Sequence, residues 1–216
     1  MGFTPEILLQ RVMLLIPLML SLTVHEWAHA WSAHKLGDDT AQRMGRLSLN
    51  PFVHIDLLGT IILPLLGIPF GWAKPVPIDP ARFRRSIRMT TGMMITAAAG
   101  PISNFVLAIL ATVAIAILGR TAPQLVMDGT PGLHLLLEFI FINVALGLFN
   151  LIPVPPLDGS RIVEGLLPLR LRPAWEGFAR YGPFALLAVI WFGPALIAVP
   201  RAFTLGMLNR LLVLLS

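Results

Sequence analysis

The chain of 216 residues has no cysteine, which excludes thiolate metal ligands, disulfides and cysteine nucleophiles. Any bound metal must be held by histidine and carboxylate. Charge is also scarce: Asp, Glu, Lys and Arg make up only 12% of the residues, and no glutamate stands between Glu26 and Glu138. In their place are apolar residues, at 56% of the total with a mean hydropathy of +0.80, far above a soluble domain. An integral protein of the lipid bilayer is the reading. The net charge of +5 and isoelectric point near 11.0 raise the question of nucleic acid. However, the basic residues fall between apolar runs and lack the aromatic interleaving of a nucleic-acid site, so no nucleic-acid partner is expected. No basic region precedes the first apolar run and no small-residue cleavage site precedes His25, so that run reads as a retained helix and not a signal peptide. No repeat or long linker divides the chain, and a single membrane domain over residues 1–216 is expected.

The expected fold is all-α, a polytopic bundle of about five or six transmembrane segments. Residues 6–34, 91–118 and 133–152 are the long spans, and 183–199 and the short 203–215 follow. Residues 57–70 are apolar but broken by Gly59, Pro64, Gly67 and Pro69, which suits a re-entrant or interfacial element between the first two long spans. Prolines at 75, 77 and 80 keep residues 71–80 extended, either as a plain connector or as an edge that pairs with another strand. On such an edge Val76 and Ile78 are the amide donors open to a substrate backbone.

Inside the first span lies His25-Glu26-Trp27-Ala28-His29. On a helix, positions 25 and 29 share a face, so both imidazoles can reach one metal ion with Glu26 beside them, the H-E-x-x-H arrangement of zinc hydrolases. Neutral imidazole is a good zinc ligand, and a carboxylate outside the ligand set can take a proton from water. Two histidines and a glutamate placed by accident on a membrane-apolar helix would be costly. The pair still lacks a third ligand. An H-x-x-G-x-x-H continuation fails at Ser32 and Lys35, and the best remaining acid is Asp158, which follows a long span through the proline-broken turn 150–159. Taken alone, Asp158 would read as an Asp-Gly turn residue. Asn150 is either an oxyanion or substrate-orienting group or a cap for broken backbone near Pro153.

If Asp158 meets the two histidines, the C-terminal ends of spans 6–34 and 133–152 share one side of the membrane, and residues 71–90 lie there too. Loops on that side carry Lys35, Arg43, Arg46, Lys74, four arginines within 82–88 and four within 161–180, against Arg120 alone on the other. That asymmetry puts the site toward the cytoplasm, and a prokaryotic plasma membrane is expected.

Three motifs together resemble the site-2 protease family of intramembrane zinc metalloproteases: His25-Glu26-x-x-His29 in a membrane helix, Gly100-Pro101-x-x-Asn104, and Asn150-x-x-Pro153-x-x-Pro156-Leu157-Asp158-Gly159. Residues 71–80 are similar to a loop of that family, with Asp79 where Asn is expected, and the resemblance spans about residues 20–165. It implies helices around one buried Zn2+ held by His25, His29 and Asp158, with Glu26 as catalytic acid/base. It further implies transmembrane protein substrates, cut in regulated intramembrane proteolysis often after another protease has removed the outer domain, and a minimal form without the PDZ or CBS attachment of many members. A homo-oligomer is compatible with it. The alternative is a non-catalytic zinc-binding membrane protein or a metal transporter. Against a transporter, the outward halves of the spans offer few polar groups beyond His134 and Glu138, and against a dead protease, Glu26 and all three ligand candidates are present.

Overall fold

The computed structural model describes residues 4–68 and 71–191 and the single positions 198, 202 and 206. The expected span 203–215 and the second half of 183–199 therefore lie outside the described residues, save those single positions. Every regular element among the described residues is helical, as the all-α reading requires.

Helix α1 (Pro5–Leu36) opens with Thr4 accepting from the Ile7 amide and Glu6 in the first turn, and it closes on Gly37 at φ 114°. That left-handed backbone favours glycine, and the Gly37 amide bonds the carbonyls of Ala33 and His34. Pro17 lies within α1 without ending it. Helices α2 (Met89–Thr121) and α3 (Pro131–Asn150) follow, and these three are the helices long and apolar enough to cross a membrane among the described residues. They run antiparallel in turn. His29 of α1 faces Thr96 of α2 and Ser21 faces Asn104, while Asn104 meets Asn143 of α3. Farther along, Ala108, Ala111 and Ile115 pack on Ile140 and Val144, and the two alanines let the α2 and α3 backbones approach. The C-terminal ends of α1 and α3 and the N-terminal end of α2 thus share one end of the bundle.

At that end the short helix α4 (Asp158–Leu166) packs against α2, and α5 (Arg172–Ala179) and α6 (Gly182–Trp191) follow. Between α1 and α2 the chain makes a hairpin. His54 and Thr60 share a cleft with Leu22 and Thr23 of α1, and from there a π-helical turn (Leu57–Ile62) leads to Leu65, whose carbonyl accepts from the Arg11 guanidinium at 2.8 Å. Because Arg11 lies more than three turns before Thr23, this arm runs antiparallel to α1. The chain then returns, with the Trp72 amide on the Gly59 carbonyl and the Lys74 amide on that of His54. Residues 71–79 belong to no helix or strand, and Asp79 at the end of the segment has extended backbone.

Candidate active site

The helical spacing puts His25 and His29 on one face of α1 with their Nε2 atoms 3.0 Å apart. Asp158, the first residue of α4, brings Oδ2 to 3.2 Å from His25 Nε2 and 3.3 Å from His29 Nε2. Two glycines make this convergence possible. A Cβ at Gly100 of α2 would collide with His29 Nε2 and lie 2.6 Å from His25 Cε1, so the imidazoles rest directly on the α2 backbone. A Cβ at Gly159 would strike the Leu151 carbonyl oxygen, so only glycine lets α4 start beneath the end of α3.

The outer nitrogens decide what the inner ones can do. His25 Nδ1 lies 2.6 Å from Asn104 Oδ1, and His29 Nδ1 lies 2.7 Å from the Thr96 carbonyl. Carbonyl oxygens only accept, so each Nδ1 carries a proton, and in the neutral ring each Nε2 presents a lone pair. Asn104 cannot be flipped, because its Nδ2 donates to Asn143 Oδ1 at 2.8 Å. Asn143 in turn donates to Ser21 Oγ at 2.8 Å and to the Phe139 carbonyl, and Ser21 Oγ donates to the Pro17 carbonyl at 2.6 Å. All three polar side chains are fully buried.

Two lone pairs and a carboxylate oxygen therefore converge, and Asp158 Oδ2 is buried without a hydrogen-bond donor. Such a set of acceptors fits a cation. Ligands at zinc bond lengths on tetrahedral corners stand about 3.3 Å apart, close to the separations found here.

Glu26 is buried beside this cluster but does not join it, and its Oε2 accepts the Val76 amide at 2.8 Å. The amide expected to be open to a substrate is thus turned inward, because the Val76 side chain is buried against Ala30 and Ala41. The Ile78 amide makes no hydrogen bond among the described residues. Asn150 donates to the Leu146 carbonyl of its own helix at 3.0 Å and makes no hydrogen bond to His25, Glu26, His29 or Asp158. Sequence reasoning did not assign the support given by Ser21, Asn143 and the Val76 amide. For the first two, polar side chains in apolar spans were the available signal.

The family model for peptidase family M50 matches residues 125–193, the part that carries Asp158. A Bacillus subtilis (strain 168) protein named "Putative zinc metalloprotease YwhC" is 40% identical over 182 residues, which cover 84% of this chain and 80% of that one. Two mycobacterial proteins of the same description, both Rip2, are more distant. That of Mycolicibacterium smegmatis is 29% identical over 184 residues, covering 82% of this chain and 66% of its own. That of Mycobacterium tuberculosis (strain H37Rv) is 28% identical over 188 residues, covering 86% and 68%. No solved structure matches the chain. The extent and identity of the Bacillus alignment, joined to the family match, establish kinship: this chain belongs to peptidase family M50, the site-2 metalloproteases.

Proposed function

We propose that this protein is a zinc-dependent intramembrane protease that cuts transmembrane segments of membrane proteins. The observation that carries this reading is the convergence of His25 Nε2, His29 Nε2 and Asp158 Oδ2, at 3.0 to 3.3 Å, beside a glutamate that stays outside the set. These three atoms would hold one Zn2+, which supplies Lewis-acid polarisation of a scissile carbonyl and makes water nucleophilic at neutral pH. Glu26 does the proton work. Its Oε1, which accepts no hydrogen bond among the described residues, takes the proton of the attacking water and returns it to the leaving amine. Asn104 and the Thr96 carbonyl keep both imidazoles in the tautomer that binds metal.

A peptide bond in a membrane helix is shielded by its own hydrogen bonds and by lipid, so the substrate must be locally unwound. The Ile78 amide and the second amide hydrogen of Asn150 are the groups we assign to the opened backbone. Residues 57–70 are read as a re-entrant or interfacial element. The catalytic domain comprises residues 1–216, with about five or six membrane segments in all. The basic residues near the site's end of the bundle support a cytoplasmic orientation in a prokaryotic plasma membrane.

The test is cleavage of a transmembrane substrate by the purified, zinc-loaded protein in liposomes, compared with Glu26→Gln. The wild type should cleave, and the variant should bind one zinc per chain and leave the substrate intact. Equal cleavage by the variant would remove Glu26 from the mechanism. Zinc binding with no cleavage by either would favour the non-catalytic zinc protein.

A further inference from the structure

The segment following the hairpin is fastened at closely spaced points. The amides of Trp72 and Lys74 bond the carbonyls of Gly59 and His54. The guanidinium of Arg46, itself buried, donates to the carbonyls of Lys74 at 2.6 Å and Pro75 at 3.3 Å. The Asp79 amide donates to Asp38 Oδ2 at 2.7 Å, and that accepting residue, just past the end of α1, is 1% exposed. Between these fastenings Val76 sits with proline on both sides, Pro75 and Pro77, each of which locks its own φ. Its side chain is packed against Ala30, one helical turn beyond Glu26.

A backbone donor held in this way cannot swing. Among the described residues its one acceptor is Glu26 Oε2, at 2.8 Å. Glutamate has three side-chain torsions, and a proton acceptor must be held near one productive geometry to act efficiently. We infer that residues 72–79 form a positioning strap for Glu26, in which the Val76 amide fixes Oε2 and so presents Oε1 to the proton that must move. The inference rests on the reading of Glu26 as acid/base, and Val76 acts through Glu26 without touching substrate. The prolines then have a second role besides stiffening. They remove competing amides on both sides of Val76, so that one donor alone meets the carboxylate.

Two measurements test it. The first reads the contact without activity, as hydrogen exchange of the Val76 amide in the full-length protein. Glu26→Ala should speed exchange at Val76 by about tenfold or more while Lys74 stays protected, and Glu26→Gln, which keeps a carbonyl acceptor, should preserve protection. Unchanged exchange in Glu26→Ala would overturn the strap. The second replaces the Val76 amide by an ester, keeping the side chain. The expected result is a fall in kcat of about tenfold or more with KM and zinc content unchanged. A rise in KM at constant kcat would instead make the amide a substrate contact, and unchanged kinetics would also refute the inference. Should Glu26→Gln cleave normally, the acid/base reading fails while the exchange result still reports whether the strap contact exists.

Discussion

The hydrogen-bond chain from His25 through Asn104 and Asn143 to Ser21 runs in one direction and ends on a backbone carbonyl, that of Pro17. Direction matters because an amide can bond either way round. Each link fixes the orientation of the one before, and the last fixed group is the proton on His25 Nδ1. Removing a middle link should therefore act at the metal, several residues away. Asn143→Leu is expected to weaken zinc affinity by roughly ten- to a hundredfold, measured by competition with a chelator, because Asn104 loses the partner that sets its orientation. Unaltered zinc affinity would make the chain a packing device only. Asp158 should behave more sharply, since it supplies one of the three atoms proposed to hold the ion. Asp158→Ala should leave zinc well below one per chain by atomic absorption, with helix content by circular dichroism little changed. Full occupancy in that variant would displace Asp158 from the ligand set.

Among elements, α2 is the one whose backbone forms a wall of the site. Gly100 leaves no Cβ between α2 and the two imidazoles, so Gly100→Ala must push either helix or ring away. The expectation is loss of zinc binding in a protein that still inserts and retains its helices, checked by metal content and circular dichroism on one preparation. Normal zinc content would mean that the histidines yield at little cost. Helices of this kind are legible from sequence because their causes are local. The spans expected at 6–34, 91–118 and 133–152 are found as Pro5–Leu36, Met89–Thr121 and Pro131–Asn150, set by apolar length and by caps such as Thr4 and Gly37. The convergence of His25, His29 and Asp158 was legible for a related reason, as two of these candidate ligands share one helix and the third stands in a motif broken by prolines. The inward turn of Val76 was not legible. Which edge of an extended segment faces the protein depends on partners such as His54, Arg46 and Glu26, distant in sequence and contributing mostly backbone or carboxylate acceptors.

For the whole molecule, three antiparallel helices fix which loops lie together. The turn after α1 meets the chain into α2 where Asp38 accepts the Asp79 amide, and that chain and the residues after α3 reach the site through Val76 and Asp158. If the bundle crosses a bilayer, these regions must therefore lie on one side and the α2–α3 connection on the other. The first group holds twelve of the Lys and Arg residues, whereas Arg120 stands alone near the α2–α3 connection, and retention of positive loops selects the cytoplasmic side for the group. The chain has no cysteine of its own, so single introduced cysteines report without background. Arg85→Cys and Arg170→Cys, both at exposed positions, should react with a membrane-impermeant maleimide only from the cytoplasmic side, and Asp128→Cys only from the opposite one. Labelling of positions 85 and 170 from opposite sides would contradict the shared end on which the Asp158 assignment depends. Labelling of both from the outside would keep the site intact and reverse its orientation, so that substrates would be cut toward the external face.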